Sequence, residues 1–450
     1  MRVGFLERDI TPTTSVHLAG SLNSDYSPRV SSGLSDPLYL KTILITDDDR
    51  KVKIAIFVAD LIWVSKEISD DVRIAVSKIL DTEVSRIIVS ASHTHNGPET
   101  MPNFYGAVPS SEYAKFLKNE FRRAARKVRD QTDEATFHIK SVPTKLNVNR
   151  RKKVLDIKAL RRGKINFDYQ TSINIFGQRD DIATVLRITK KNSRNVLLIN
   201  FPAHPAFLMR SSLISADWPG ALQEVWNTNS ETDDNIVFLQ GFCGDLLPSS
   251  FQLNKIDRFS IGGVLDFFSK PLKFRTSNSI NDARKFAAKF VKHLKTDESP
   301  WRSVEPNDIL IRNEAVFLEY ELKKYSQSCR FRISENSQKQ YAEHCKLLES
   351  ETGRFLDVSV ADFGGFKLVS CDAEMFSSYS QFIRSQSNTP IMSIGCCNGM
   401  IGYVPDKRAI IQGGYEPRRS LPIYGQPYPY SEGIEKTIKT KLRTLINPSC

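Results

Sequence analysis

The sequence lacks the features of a membrane or exported protein. It contains no run of ~18 uncharged apolar residues, so no segment is predicted to cross a membrane. The first ten residues, MRVGFLERDI, have no long apolar stretch of the kind that signal peptides carry. These absences predict a soluble protein in the cytoplasm.

Cysteine is scarce and unpatterned. The seven cysteines are odd in number and lack CxxC spacing, and Cys396 and Cys397 are adjacent in the chain. This usage favours a reduced compartment over a disulfide-stabilised domain. Cys243 and Cys371 are predicted to be small buried residues.

The chain is basic but shows no nucleic-acid-binding module. The formal net charge is +12, which would suit an acidic partner. Several basic residues fall on one predicted helix, which we interpret as a solvated face. Without a module signature beside them, no nucleic acid is predicted as a partner. These residues are Arg122, Arg123, Arg126, Lys127 and Arg129.

Apolar strands alternate with amphipathic helices along the chain. This order predicts an α/β (mixed α+β) fold, with one large domain over residues 1–450 and helices flanking a central mixed β-sheet. Ser249–Phe274 is rich in Phe and Gly and is interpreted as an inserted surface loop or lid. The predicted strands are Lys53–Val64, Ile87–Val89, Val196–Asn200, Asn235–Leu239, Phe366–Ser370 and Ile391–Ile394. The predicted helices are Glu67–Leu80, Ser111–Arg129 (N-cap Ser111), Asp217–Trp226 (N-cap Asp217), Asn281–Leu294 (exposed) and Tyr341–Leu348.

Two histidines follow the strand at Ile87–Val89, in the sequence SHTHNGP. His93 and His95 are two residues apart, so an extended backbone would place both imidazoles on one side. Such a pair suits a metal ion such as zinc, or one ligand beside one acid–base group. The chain has only seven histidines, which argues against two incidental surface residues here.

Further polar residues interrupt or follow apolar strands. Asp60 lies inside an apolar run and must be paired, hydrogen-bonded or functional. His204 suits a core histidine as well as a ligand. Glu374 alone would be an ordinary carboxylate near a helix N-terminus, and Tyr403 a packed aromatic. Asn147–Arg151 reads as a polar segment between less ordered regions.

Taken together, the motifs resemble the neutral, non-lysosomal ceramidases. The resemblance extends from Asp9 to about Pro427 and depends on the order and spacing of short motifs. Those enzymes are zinc amidohydrolases that cleave the N-acyl bond of ceramide, so a fold like their catalytic domain is expected. The motifs are HTHNGP, NVNR, NFPAHP, SADWPG, QGFCGD, DAEMF, GYVP and GGYEP.

The resemblance implies a Zn²⁺ site and a set of donors around the scissile amide. The implied zinc ligands are His93, His204, Glu374 and Tyr403. The implied catalytic residues are His95, Arg150 and Tyr415. Asp217 falls in the family's S-x-D segment and is interpreted as supporting the site from behind.

The chain also departs from the family. The ceramidases have a serine where this chain has Leu247, and leucine has no hydroxyl to act as a nucleophile. They also carry a C-terminal β-sandwich domain and a secretion signal, neither of which is recognised here. These departures shift the expected substrate away from ceramide.

The sequence therefore predicts a zinc-dependent amide hydrolase in which activated water attacks an N-acyl group. An N-acetylated amino sugar or glycan precursor is the favoured substrate, which would make the protein a deacetylase. A ceramidase or other N-acyl lipid amidase is the alternative, favoured if the apolar Leu265–Phe268 stretch lines a pocket. Two further alternatives are ester or phosphoester hydrolysis at the same metal and a non-catalytic, zinc-containing binding protein.

Overall fold

The computed structural model describes residues 1–156, 162–228, 233–249, 279–306, 308–322 and 333–448. Its strands are β1 (Arg2–Asp9), β2 (His17–Leu22), β3 (Pro28–Val30), β4 (Gly33–Leu34), β5 (Tyr39–Thr46), β6 (Val52–Ala59), β7 (Ile87–Ala91), β8 (Asp133–Pro143), β9 (Asn147–Leu155), β10 (Phe167–Asn174), β11 (Ile182–Lys190), β12 (Val196–Phe201), β13 (Leu213–Ile214), β14 (Asn235–Gln240), β15 (Leu246–Pro248), β16 (Arg302–Val304), β17 (Leu310–Glu319), β18 (Gly353–Asp362), β19 (Lys367–Cys371), β20 (Glu374–Met375), β21 (Ile391–Ile394) and β22 (Tyr403–Val404).

The helices lie between these strands and after them. They are α1 (Lys66–Leu80), α2 (Ser111–Arg129), α3 (Asp217–Thr228), α4 (Ile280–Thr296), α5 (Glu335–Leu347), α6 (Ser377–Ser385), α7 (Lys407–Gln412) and α8 (Ile434–Ile446). None of them is long and apolar enough to cross a bilayer.

Two mixed sheets form the centre of the molecule. The larger has the order β14-β12-β11-β8-β1-β5-β6-β7, with β16 added beside β8. Most neighbours are antiparallel, but β12 pairs with β14 and β6 with β7 in parallel. The smaller sheet has the order β17-β18-β19-β21. The predicted α/β class with a central mixed sheet is confirmed.

Successive side chains of a strand point to opposite faces of the sheet, and this alternation divides the core into layers. One side of the large sheet packs on the small sheet, for example through Ile56, Leu198 and Leu368. The opposite side is covered by α1 and α2 at one end and by α3 and α4 at the other. Helices α6 and α8 cover the outer side of the small sheet. The order is therefore helices, sheet, sheet, helices.

Several local predictions are corrected. Helix α2 is capped by Ser110, whose Oγ accepts from the Tyr113 amide at 3.2 Å, and not by Ser111. The strand predicted to reach Val64 ends at Ala59. The helix predicted to be exposed, α4, buries one face that includes Phe286 and Phe290. A helix that packs on a sheet needs only such a stripe of apolar residues.

The segment Asn147–Arg151 is part of strand β9 and not an irregular connection. The first six residues of β9 are all buried although most are polar. The sequence therefore lacks the alternation of apolar and polar residues that is typical of a half-buried strand, and the strand is not recognised from it. Of the loop or lid predicted at Ser249–Phe274, only Ser249 is within the described residues.

Candidate active site

Strand ends bring the candidate residues to one end of the large sheet. Strand β7 ends at Ala91, and the amides of Ser92 and His93 then donate to the carbonyls of Ala59 and Leu61 at 2.9 and 2.8 Å. His93 has a φ of 69°, a conformation uncommon outside glycine. Such backbone strain recurs at functional sites. The hydrogen bonds to Ala59, the last residue of β6, and to Leu61 hold this conformation in place.

Three histidines converge in the interior. His93, His95 and His204 are buried, and each offers a ligand atom within 4.8 Å of the other two. Their ring centroids are 5.2 Å apart for His93 and His95, and 4.8 Å apart for His93 and His204. These three side chains are thus close enough to share one metal ion.

Backbone carbonyls orient each imidazole. Nδ1 of His93 lies 2.9 Å from the carbonyl oxygen of Ile62. Nδ1 of His95 lies 3.0 Å from the carbonyl oxygen of Gly20, and Nδ1 of His204 lies 2.9 Å from that of Leu246. A carbonyl oxygen can only accept, so each Nδ1 must carry the proton and donate it. Each Nε2 then keeps its lone pair. This is the arrangement that orients metal-binding histidines.

The two Nε2 atoms of His93 and His95 are buried and accept no hydrogen bond from the described residues. Burial lowers the pKa of His95 well below its ordinary value, and the neighbouring His93 and His204 lower it further. The pKa of His204 falls to about 4, mainly through burial and then through Arg150. Both imidazoles are therefore neutral at neutral pH.

Glu374 supplies a carboxylate to the same cluster. Its Oε2 atom lies 3.3 Å from Nε2 of His93 and 3.2 Å from Nε2 of His204. Its Oε1 atom accepts a 2.5 Å hydrogen bond from the Tyr424 hydroxyl. One carboxylate oxygen is thus directed at the histidines.

Tyr403 stands beside Glu374 because β20 and β22 pair in parallel, with these two residues in register. The Tyr403 hydroxyl accepts a 2.9 Å hydrogen bond from Nη2 of Arg150. Nη1 of Arg150 lies 3.2 Å from Nε2 of His204. Burial raises the pKa of Tyr403 well above its ordinary value, against the opposing effect of Arg150. The phenol is therefore neutral in this setting.

A buried acid holds two consecutive arginines. Glu416 accepts from Nε of Arg150 at 3.0 Å and also from Arg151. Burial raises the pKa of Glu416, but Arg151 and Arg150 lower it more strongly, and the net pKa is below its ordinary value. The carboxylate is therefore ionised and balances part of the buried positive charge.

A small pocket, with a cavity volume of about 30 Å³, leads to this cluster. Its polar lining includes His95, Glu374 and Tyr403, and Tyr415 forms part of the wall with its ring centroid 5.9 Å from that of Tyr403. Most of the remaining wall is aliphatic or aromatic. Those residues include Leu18, Leu22, Ile62, Trp63, Tyr105 and Ile423.

The structure places the predicted catalytic and metal residues in one region. His93, His204 and Glu374 form one cluster, with Tyr403 and Arg150 at its edge and Tyr415 in the pocket wall. His95, predicted as a donor, lies within ligand distance of the other histidines, so the geometry also permits a three-histidine set.

Asp217, expected to support the site from behind, lies behind the cluster. Asp217 is buried and has a φ of 57°. Its carboxylate accepts from the amides of Leu208 and Trp218 at 2.9 and 2.7 Å. It therefore fixes the loop that follows His204 and starts α3, without contacting the cluster.

Sequence reasoning missed two residues, Glu416 and Tyr424. Glu416 follows Tyr415 directly in the GGYEP motif, and the adjacent Arg150 and Arg151 signal a need for a buried counter-charge. No local pattern singles out Tyr424. Leu247, at the family's serine position, is buried in a small apolar group. Its partners there are Val148, Ile173 and Ala206.

Solved structures similar to this chain include the neutral ceramidase from Pseudomonas aeruginosa, with a TM-score of 0.69 and 14% sequence identity over 99% of this chain and 74% of that chain. A ceramidase complexed with C2 gives a TM-score of 0.70 with the same identity and coverage. No protein-family model and no curated protein matches the sequence. The similarity establishes a neutral-ceramidase-like fold.

Proposed function

We propose that this protein is a metal-dependent amide hydrolase that removes an N-acyl group, with zinc as the metal. The observation that carries the proposal is the tautomer of three buried histidines. Carbonyl acceptors on each Nδ1 direct three unprotonated Nε2 atoms at one another, with a carboxylate oxygen 3.3 and 3.2 Å from two of them. Nε2 of His204 faces Nη1 of Arg150, but the buried Nε2 atoms of His93 and His95 have no donor among the described residues. Such buried lone pairs are unfavourable unless a cation or proton lies between them.

The residues fit zinc by donor type. Two histidines and one carboxylate form a common catalytic zinc set, and a tyrosine oxygen is a less usual fourth ligand. We therefore propose His93, His204, Glu374 and Tyr403 as the ligands. When bound there, zinc supplies water whose pKa is lowered to about 7 and polarises a carbonyl oxygen.

The chain's own residues supply the remaining functions. Neutral His95 can accept a proton at Nε2 and pass it to the leaving amine nitrogen, because Nδ1 donates to the carbonyl of Gly20. Arg150 holds the Tyr403 hydroxyl and presents positive charge at the cluster. Tyr415 bounds the pocket in which the acyl group would lie. The loss of one oxyanion donor typically costs about 3 kcal/mol of transition-state stabilisation.

Of the two substrate classes that the sequence raised, N-acyl lipids have the better support. The fold neighbours are ceramidases, and most of the pocket wall around His95 is aliphatic or aromatic. An acyl chain gains from burial on such a wall, whereas the hydroxyl groups of an amino sugar need hydrogen-bonding partners. The cytoplasmic location remains a prediction from the sequence.

Metal analysis combined with amine release tests the proposal. The substrates are N-acetylated amino sugars and N-acyl amino-alcohol lipids with short and long acyl chains. We expect about one zinc per chain and amine release from the lipids that is lost on chelation and restored by zinc. Preference for the sugars would reinstate the deacetylase hypothesis. Zinc without turnover would support a binding protein, and absence of zinc would contradict the proposal.

A further inference from the structure

Arg150 contacts two of the proposed ligands, and its guanidinium has three separate contacts. Nε donates to Glu416 at 3.0 Å, Nη2 donates to Tyr403 at 2.9 Å, and Nη1 lies 3.2 Å from His204. The guanidinium is planar, so the bond at Nε fixes the directions of the other two nitrogens. Glu416 therefore controls where Arg150 points.

We infer that Glu416 is a positioning residue for the proposed hydrolysis. It holds the guanidinium of Arg150 against Tyr403 and His204 and offsets its charge beside the ligand set. The inference rests on the proposed function. In the described contacts Glu416 touches neither the pocket nor the three histidines, and Arg150 is the contact that links it to His204 and Tyr403.

Burial makes this control strong. The side chains of Arg150 and Glu416 are 6% and 2% exposed, so water cannot replace the contact between them. Removing one partner of a buried ion pair leaves an uncompensated charge that must find another site. Glu374 is one carboxylate to which Arg150 could turn, since its charge helps to raise the pKa of Arg150. Losing Glu416 would therefore place Arg150 in competition with a metal ion.

The backbone also places Glu416 close to the pocket. Tyr415 and Glu416 are consecutive in a short π-helical turn, Tyr415–Arg419. Gly414 precedes it with a φ of 105°, and a Cβ atom there would lie 2.9 Å from the carbonyl oxygen of Tyr169. The turn is thus fixed by close packing. One rigid segment carries both a pocket-wall residue and the anchor of Arg150.

Arg151 provides a matched control. It pairs with the same carboxylate and is equally buried, but its other hydrogen bonds go to the carbonyl oxygens of Ala409 and Gly413. Arg151→Met removes one partner of Glu416 without touching Tyr403 or His204. If Glu416 had only a structural role, substituting Glu416 and substituting Arg151 would have similar effects on the protein.

The experiment compares Glu416→Leu, Glu416→Gln and Arg151→Met for kcat, KM, zinc affinity and Tm. We expect Glu416→Leu to lower kcat on the order of a hundredfold with little change in KM. Glu416→Gln keeps an oxygen acceptor for Nε of Arg150 and should lower kcat by about tenfold. Arg151→Met should lower Tm while kcat stays within about threefold. If Glu416→Leu does not fold, Glu416→Gln is compared with Arg151→Met instead.

Zinc titration of the metal-free protein gives a readout independent of turnover. Glu416→Leu should weaken zinc binding by about tenfold or more, because the released guanidinium lies beside the ligands. Adding Arg150→Met should restore the affinity without restoring kcat. Parallel losses of kcat and Tm in Glu416→Leu and Arg151→Met, with unchanged zinc affinity, would overturn the inference. An unmodified protein that neither binds zinc nor releases amine would overturn the proposed function itself.

Discussion

The hydroxyl of Tyr424 donates a 2.5 Å hydrogen bond to Oε1 of Glu374, the carboxylate whose other oxygen faces His93 and His204. Tyr424 is also packed on the backbone before Tyr403, since a Cβ atom at Gly402 would lie 2.9 Å from its ring. One phenol thus orients the carboxylate and supports the neighbouring tyrosine.

Replacing Tyr424 with Phe should weaken metal binding. The ring packing is preserved, but Glu374 loses the donor that fixes its orientation. Partners of metal-ligating carboxylates typically contribute about 10–100-fold in affinity, and we expect a loss in that range. Zinc competition with a chromophoric chelator measures it. Tyr430→Phe is the control, because the buried Tyr430 hydroxyl has no hydrogen-bond partner among the described residues. Equal zinc affinities in the two variants would contradict this role.

The sequence could predict much of the site because its residues lie in short motifs at strand ends. His93 and His95 do lie in one cluster. The extended backbone from which the sequence predicted this is absent, because β7 ends at Ala91 and His93 has a φ of 69°. By contrast, Arg150 and Glu416 are 266 residues apart, and their contact depends on how β9 and the turn after α7 meet. Local patterns contain no information on such a contact. Strand β9 itself was missed because its polar side chains are buried on both faces.

Asp60 should make stability fall as pH rises through the mildly acidic range. The carboxyl accepts from the Tyr39 amide at 2.9 Å, but burial dominates and raises the pKa of Asp60 from 3.8 to about 6. The folded protein therefore holds this proton more tightly than the unfolded chain. Its stabilising effect is complete below pH 3.8 and is lost between about pH 4 and 6, a change of ~3 kcal/mol.

Urea unfolding of the protein and of Asp60→Asn from pH 4 to 7 measures this contribution. The free energy of unfolding of the variant, relative to the unmodified protein, should rise with pH across that window. Asp49→Asn changes an exposed carboxylate and should leave the pH profile unaltered. Parallel pH profiles for the unmodified protein and Asp60→Asn would show that Asp60 does not titrate as argued.

Gly20 sets the space available to His95. It has a φ of +80°, and a Cβ atom there would lie 2.4 Å from Nδ1 of His95. Gly20→Ala should therefore displace the imidazole and reduce turnover by tenfold or more. Gly163→Ala is the matched control, since Gly163 has a φ of +72° and an added Cβ meets none of the described atoms within 4 Å.

Both glycine variants should lose ~1–2 kcal/mol of stability from the left-handed backbone alone. Only Gly20→Ala should lose turnover beyond what its lower stability explains. The measurement is kcat at a temperature where both variants are folded by circular dichroism. Equal kcat values would mean that the contact between Gly20 and His95 does not matter for catalysis.

His95→Ala separates the two ligand sets that the geometry permits. If His93, His204, Glu374 and Tyr403 hold the metal, the variant should retain about one zinc per chain while kcat falls by roughly 10²–10⁴, the range for loss of a general acid–base group. If the three histidines are the ligands, zinc should be lost together with turnover. We expect the first result, because Glu374 lies 3.3 and 3.2 Å from the Nε2 atoms of His93 and His204. His93→Ala is the reference in either case, since it removes a member of both sets and should abolish zinc binding. A His95→Ala protein that keeps both its zinc and its turnover would exclude His95 from the chemistry.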